Sequence, residues 1–433
     1  MDSEARVPVW EKAFAVAALC LSTAAVFPLL HAAGGVADPT QGDGASEKLW
    51  LAVYTVVVVL LLRLRVPLRS VVAANKALVA LVGLAVASVA WSDVPFLTLR
   101  RSVALALTTL FAVYLATRFT RRELGTLISW ALALVVLGSA AMAVLKPSYG
   151  LDHVRGDAWR GVFTTKNELG RIAAFALGLW LLRLITLRGH PVVALTLAAA
   201  AADVVIRASS RTAAAVALGI LVFFSVLPAL RAHFGIAIPG GAAFLGFVIL
   251  ATDWLVTRAD SVLSSVGSTP TLTGRSEIWR AVWSMIHVHP WLGYGYAAFW
   301  RGIEGPSALV WAVVPSRPPH SHNGLLDLWL DLGLVGVTLV VIAFVIGVVR
   351  AFREARTTWS FEAAFPLYVL VFLALYNVSE TTLLIRNSLF WIVFVVASVQ
   401  VSAPRATTVG EPATAETPSP RVRALPLPTA GGS

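Results

Sequence analysis

Two histidines, His320 and His322, are separated by a single residue and are the first side chains that suggest catalysis. They stand in the stretch His320–Asp327, between a proline-rich segment and a long apolar stretch. Histidine is the side chain best suited to move a proton near neutral pH. His322 adjoins Asn323, an N-cap residue type for a helix that begins at Gly324, so we expect its backbone to be fixed, while His320 stays on the proline-rich side. We therefore predict that His322 takes a proton or hydrogen-bonds a phosphate, with His320 and Asn323 as secondary candidates.

Arginines are the second residue type that suggests a site. Arg211 stands at the head of an apolar stretch, and Arg275 opens an amphipathic pattern together with Glu277. A guanidinium presents a planar fork of donors that matches phosphate oxygens, and it stays charged when desolvated. A helix N-terminus also favours an anion. Several arginines of this kind together suit a diphosphate headgroup, so Arg211 and Arg275 are candidate anion-binding residues, with Glu277 as a secondary candidate. The alternative is that these arginines anchor helices at the membrane interface or pair with acidic neighbours.

A further polar stretch, Arg160–Gly170, leads into another apolar segment and adds Arg160, Lys166 and Asn167 as secondary candidates. Metal and nucleotide motifs are missing from the sequence: it contains no D-x-D, no H-E-x-x-H, no Cys/His array with zinc spacing and no P-loop. We therefore expect no metal, no cofactor and no direct use of a nucleotide. Asp327 and Asp331 are i, i+4 neighbours, and their simpler interpretation is a polar face inside a helix bundle.

The composition indicates which elements must position these residues. Of the 433 residues, 58% are hydrophobic and 13% charged, and the apolar residues fall in blocks of a length that spans a bilayer as a helix. The sequence predicts an all-α, polytopic membrane protein of about twelve transmembrane helices. The predicted spans are residues 12–31, 49–64, 71–91, 99–117, 124–145, 168–187, 191–206, 212–230, 234–252, 323–349, 361–378 and 384–403.

The basic charge has two interpretations. A net charge of +11 would suggest nucleic acid in a soluble protein. Here arginines concentrate in every second short loop between predicted spans. This pattern follows the positive-inside rule and predicts that both termini are cytoplasmic. Orientation does not require the ten basic residues predicted on the outer side, and these support a site for an anion: Arg155, Arg160, Lys166, Arg207, Arg211, Arg258, Arg275, Arg280, Arg301 and Arg317.

Two segments break the pattern of spans. Residues 253–322 form the one long loop between predicted spans, and this topology places it outside. Within it, an amphipathic pattern at i, i+4 spacing is typical of a helix lying on the bilayer surface: Ile278, Trp279, Val282, Trp283 and Ile286. Residues 404–433 are rich in Pro, Ala and Thr and are expected to be a disordered cytoplasmic tail. We accordingly divide the chain into a membrane domain, residues 1–403, and this tail.

Taken in order, several stretches resemble the O-antigen ligase and polymerase superfamily, most closely its branch of succinoglycan-type exopolysaccharide polymerases. They are Trp91–Asp93 with Leu99–Ser102, Trp159–Arg171, Ser210–Ala213, Thr273–Trp279, His289–Gly295, His322–Asp327 and Ser379–Ser388. The resemblance implies a GT-C-like, metal-independent glycosyltransferase that uses an undecaprenyl-diphosphate-linked glycan. It implies diphosphate binding by Arg211 and Arg275 and a catalytic role for His322.

We therefore expect an enzyme of the cytoplasmic (inner) membrane, active on its outer face, that polymerises lipid-linked oligosaccharide units. Its expected partners are the donor glycan, a glycan or lipid acceptor, membrane lipids and a chain-length regulator, without nucleic acid. Two alternatives remain. One is a ligase that transfers finished glycan to a lipid core or a protein. The other is a polysaccharide transporter or flippase, although the sequence has no obvious repeated halves.

Overall fold

The computed structural model confirms the all-α class. It describes residues 7–28, 44–64, 66, 68–186, 189–233, 246, 273–314 and 317–402. The helices in this part of the chain are α1 (Val9–Ser22), α2 (Gly44–Arg63), α3 (Leu68–Ala74), α4 (Lys76–Ala87), α5 (Pro95–Arg118), α6 (Arg121–Leu145), α7 (Lys166–Ile185), α8 (Pro191–Arg207), α9 (Arg211–Ala232), α10 (Thr273–Val288), α11 (Ser307–Val313), α12 (Gly324–Thr357), α13 (Phe361–Asn377) and α14 (Leu389–Ser402). A two-stranded antiparallel pair, β1 (Leu151–Asp152) with β2 (Ala158–Trp159), lies between α6 and α7.

The helices account for most of the predicted spans, but they do not establish twelve of them. Among the described residues, α5, α6, α9 and α12 are long and apolar enough to cross a membrane, and α2 with α3 gives a fifth if that bent pair is one span. α13 and α14 are apolar but shorter. The predicted span at 234–252 lies outside the described residues except for Gly246. The chain is thus a multi-pass membrane protein whose number of spans stays a prediction.

Local sequence explains where the helices near the histidines begin. α7 starts at a capping box. The Thr165 hydroxyl accepts from the backbone N–H of Glu168, and the Glu168 carboxylate accepts from the backbone N–H of Thr165. α9 starts after Ser210, whose hydroxyl accepts from Ala213 N–H. These caps fix the first turns of α7 and α9, which carry Lys166 and Arg211.

α12 is bent near its beginning, at Gly333. This residue has φ 63°, and a Cβ atom there would lie 2.1 Å from the carbonyl oxygen of Trp291. Glycine is required at such a position because it tolerates the left-handed region and leaves room for a neighbouring backbone. The chain after α10 consequently packs directly on α12, where Tyr294 N–H donates to Leu330 O over 2.8 Å.

The core lies around α13 and α14, which are buried along most of their length. A second apolar cluster joins α10 to α12: Ile278, Val282 and Ile286 pack with Phe299, Val310, Leu330 and their neighbours. Ile278, Val282 and Ile286 of the predicted amphipathic pattern are therefore buried against protein, whereas Trp279 and Trp283 are 36% and 46% exposed. The contact of α10 with the bilayer surface stays a prediction.

Candidate active site

The start of α12 fixes the segment that carries the two histidines. The Asn323 side-chain oxygen accepts from the N–H groups of Leu325 at 3.0 Å and Leu326 at 3.1 Å. Its amide nitrogen donates to Val378 O at 3.1 Å. The predicted N-cap is therefore confirmed, and Asn323 also ties the helix start to the end of α13.

His322 has an unusual backbone conformation. Its φ is +57°, in the left-handed region that costs free energy for a residue other than glycine. Its N–H donates to Nδ1 of His320 at 3.1 Å, which helps to hold this conformation. As a result the imidazole turns toward Glu380, and His322 Nδ1 lies 3.2 Å from Glu380 Oε2.

His320 lies against the same carboxylate. Its Nε2 is 3.8 Å from Glu380 Oε2, and its ring centroid is 4.2 Å from that of His322. Because Nδ1 of His320 accepts a backbone hydrogen bond, the ring proton of the neutral form is on Nε2. Burial, followed by the charge of His322, lowers the pKa of His320, which favours this neutral form.

Glu380 joins the histidines to an arginine. It is 7% exposed, and its Oε1 accepts from a terminal guanidinium nitrogen of Arg275 at 3.2 Å. Burial alone would raise the pKa of Glu380, but the His322 hydrogen bond and the charges of His320 and Arg275 outweigh burial and lower it. The buried carboxylate is thus ionised and accepts hydrogen bonds on both sides.

A second carboxylate braces the loop before α12. Asp327 Oδ1 accepts from the backbone N–H of Ser321 at 2.9 Å and from the indole N–H of Trp300 at 2.8 Å. Asp327 Oδ2 accepts from the hydroxyl of Thr381, the residue after Glu380. Trp279 on α10 donates to Ser321 O at 2.9 Å. Three separate parts of the chain therefore hold the histidine segment in place.

The structure brings some of the predicted site residues into one contact network and leaves others outside it. Arg275, His320, His322 and Asn323 belong to it or support it directly. Lys166 Nζ instead donates to Ser209 O at 3.2 Å, next to the start of α9 and Arg211.

Within the described residues, no hydrogen bond or ion pair joins the remaining candidates to Glu380. Arg160 donates from Nε to Tyr149 O at 2.8 Å and lies over the Tyr149 ring. Asn167 and Glu277 are exposed.

Two residues of this region were not among the predicted site residues. Glu380 is the carboxylate shared by His322 and Arg275, and its signal was available: an acidic residue within three positions of the end of a strongly apolar helix. Arg171 lies over the Phe390 ring at 5.2 Å, and its charge contributes to lowering the pKa of His320 after burial and the nearer groups. Within the described part of the chain, the buried Nε of Arg171 has no hydrogen-bond partner.

His320, His322 and Glu380 are also residue types that bind metals, and their ligating atoms lie within 4.8 Å of one another. The hydrogen bonds do not favour that use. His320 Nδ1 already accepts from the backbone N–H of His322, which leaves the ring proton on Nε2. A metal bound to Nε2 would have to displace that proton or move it to Nδ1, which would break the hydrogen bond to His322. The Arg275 guanidinium on the same carboxylate also repels a cation.

Two comparisons with known proteins give matches to this chain. Residues 194–341 match the Wzy_C family model, described as O-antigen ligase. This region includes Arg211, Arg275, His320, His322 and Asn323. The chain is 25% identical over 272 residues to the exopolysaccharide production protein ExoQ of Rhizobium meliloti (strain 1021). The match covers 59% of this chain and 60% of that relative's length. Together the two matches confirm the resemblance to the O-antigen ligase and polymerase superfamily.

Proposed function

We propose that this membrane protein of the O-antigen ligase and polymerase type is a glycosyltransferase that polymerises oligosaccharide units carried on undecaprenyl diphosphate. The product would be an exopolysaccharide or an O-antigen-like polymer. The observation that carries the proposal is the carboxylate of Glu380, which accepts from His322 on one side and from Arg275 on the other. One buried group thereby holds an imidazole and a guanidinium side by side, which supports a role for the first as proton acceptor and for the second in binding phosphate.

The shared carboxylate determines which nitrogen of His322 can act. Because Nδ1 donates to Glu380, the lone pair of the neutral ring is on Nε2. In the proposed reaction an acceptor hydroxyl oxygen attacks the anomeric carbon of the donor sugar, with the inversion that the family resemblance implies. His322 Nε2 takes the hydroxyl proton. The bond from the anomeric carbon to the phosphate oxygen breaks, and its electron pair leaves with the lipid diphosphate.

Arg275 and Arg211 would stabilise that leaving group. A guanidinium has five N–H donors, and among the described residues the contact of Arg275 with Glu380 uses a single nitrogen, which leaves donors that phosphate oxygens can accept from. Negative charge grows on the diphosphate as the sugar becomes oxocarbenium-like. Fixed positive charges therefore stabilise the transition state more than the ground state.

The same arginines support metal independence, because they supply the positive charge that a divalent cation supplies in other phosphate-releasing enzymes. The protonated Nε2 of His320 and the guanidinium on Glu380 also disfavour a cation among the three donors. We propose that the reaction requires no metal and no other cofactor.

A ligase is the second candidate function, because the family model that matches residues 194–341 is described as O-antigen ligase. A ligase would use the same chemistry and transfer a finished glycan to a lipid core or a protein. We favour the polymerase because the curated relative is a protein of exopolysaccharide production. A flippase without chemistry gives no reason for the Glu380 network.

We further propose that the protein lies in the cytoplasmic membrane with both termini inside, and that the histidine segment faces the outer side. This orientation rests on arginine in alternate short loops. It gives the site access to a donor that has already crossed the membrane. A chain-length regulator is the expected protein partner.

The test is a transfer assay on purified full-length protein in nanodiscs, with the host's undecaprenyl-diphosphate oligosaccharide as the substrate and excess chelator present. We expect a ladder of lipid-linked glycans whose steps differ by one repeat unit, together with release of undecaprenyl diphosphate. A single product that forms only when a lipid-core acceptor is added would favour the ligase. Activity that is lost in chelator and restored by a divalent cation would reject metal independence.

A further inference from the structure

A cavity of about 300 Å³ lies beside the histidines, at the lower end of the size range of ligand pockets. It is bounded by the start of α5, the chain after α10, the first turns of α12 and the loop before α14. His320 is one of its wall residues and also lies 3.8 Å from Glu380. The cavity is therefore next to the proposed proton acceptor.

The walls of the cavity carry both signs of charge and two aromatic rings. Two arginines, two aspartates, a tyrosine and a tryptophan line it: Arg101, Arg386, Asp327, Asp331, Tyr296 and Trp300. A diphosphate carries only acceptors and negative charge, so it is disfavoured beside the Asp327 carboxylate. A lipid tail is disfavoured by all four ionisable groups.

Several of these groups are already committed to holding the wall together. Both oxygens of Asp327 accept hydrogen bonds from protein groups. The Tyr296 hydroxyl donates to Leu384 O at 2.6 Å. They shape the cavity. Arg101, Asp331 and Arg386 supply polar groups for recognition, and Asp331 also accepts from the backbone N–H of Ala297.

Arg101 provides an independent observation that points to a ligand. It is only 9% exposed, and one terminal nitrogen donates to Ala297 O. Among the side chains that the structure describes, its Nε is one of the few buried polar atoms without a hydrogen-bond partner. A buried donor left unpaired costs free energy, so its presence calls for an acceptor that the described part of the chain does not supply.

We propose that this cavity binds the terminal sugar of the acceptor glycan. A sugar offers hydroxyl groups that both donate and accept, which suits walls made of carboxylates and guanidinium groups, and it has apolar faces that suit aromatic rings. Bound there, it lies next to His320 and presents a hydroxyl to the histidine pair. This inference rests on the proposed function and assigns the acceptor, as distinct from the donor, to these residues.

The test measures binding and turnover separately. The probe is the lipid-free repeat-unit oligosaccharide, obtained by hydrolysis of the host's own polysaccharide. It is titrated calorimetrically into purified full-length protein in nanodiscs without donor. We expect Asp331→Asn and Arg101→Lys each to weaken its binding at least about tenfold, as for the loss of one buried hydrogen bond. In the transfer assay the KM for the acceptor should rise by a similar factor and the KM for the lipid-linked donor should not.

Asp203→Asn is the matched control, since Asp203 is an exposed carboxylate on α8 that pairs with Arg207. It should leave both constants unchanged. A second measurement does not depend on how well the cavity variants fold. Ile385 lines the cavity and is 38% exposed. In a Cys20→Ser background, the oligosaccharide should slow maleimide labelling of Ile385→Cys and leave that of Ile303→Cys unchanged.

The outcomes separate the two proposals. If the wild type binds the oligosaccharide through these residues but releases no lipid diphosphate, the proposed function fails and the cavity assignment stands. The cavity assignment is overturned if the wild type transfers glycan while Asp331→Asn and Arg101→Lys keep its acceptor affinity. It is equally overturned if the oligosaccharide does not protect Ile385→Cys, or if both variants raise the KM for the donor by the same factor.

Discussion

Nδ1 of His322 lies 3.2 Å from Oε2 of Glu380, although 58 residues separate them in the sequence. The other carboxylate oxygen accepts from Arg275, 105 residues before Glu380. The carboxylate therefore fixes the tautomer of the histidine and the place of the arginine together. A carboxylate that orients a catalytic imidazole is a recurring device in enzymes.

We predict that Glu380→Gln lowers kcat about 100-fold or more, by comparison with the loss of other groups that orient a histidine. A carboxylate accepts on both sides, whereas a glutamine amide must turn its NH₂ toward either His322 or Arg275. The variant should keep its membrane insertion, and Glu380→Asp should recover part of the activity. Glu277→Gln is the matched control, because Glu277 is exposed on α10. A Glu380→Gln enzyme with normal kcat would reject the positioning role.

We predict that the two histidines differ in their contribution. His322→Ala should abolish transfer, because it removes the proposed proton acceptor. His320→Ala should cost about tenfold, or ~1.4 kcal/mol, since it removes the hydrogen bond to the His322 backbone and leaves the Glu380 contact. Single-turnover release of lipid diphosphate measures both effects. An active His322→Ala variant beside an inactive His320→Ala variant would reverse the assignment.

We predict that Arg211→Ala and Arg275→Ala each lose about 2–4 kcal/mol of transition-state stabilisation, by comparison with the loss of one oxyanion-hole donor. Replacement by lysine should give intermediate losses, because the charge stays while the forked geometry is lost. Arg207 and Arg317 are the controls. Arg207 pairs with Asp203 and lies over Trp159, so its alanine variant should stay active. Equal and mild losses at all four positions in kcat/KM would indicate a diffuse positive surface.

We predict that the Glu380 network stabilises the fold in a pH-dependent way. The pKa of Glu380 lies below its ordinary value of 4.5, so its contribution is fully present above pH 4.5 and is lost as the pH falls through the lowered pKa. Thermal midpoints of the wild type and Glu380→Gln should therefore differ most above pH 4.5 and converge below it. A difference that stays constant through this range would contradict the prediction.

The sequence by itself determined the class of protein and the ends of many helices. Long apolar blocks can only be helices in a bilayer, because backbone groups find no other partners there. The Asn323 cap could be predicted because capping needs only neighbouring residues, and its hydrogen bonds to Leu325 and Leu326 are the expected ones. The type of chemistry followed from residue types alone, since histidine moves protons and arginine binds phosphate.

Only the tertiary structure decided which of these residues meet. Glu380 looked like one polar residue at a helix end, and nothing local in the sequence indicates that it accepts from both His322 and Arg275. The apolar pattern of α10 was equally compatible with a lipid surface and with a protein surface, and only the structure shows that its aliphatic residues pack against Phe299 and Leu330. Contacts between distant segments depend on how the helices cross, and the crossing is set by the packing of the whole bundle. One example is Gly333, which lets the chain at Trp291 approach α12.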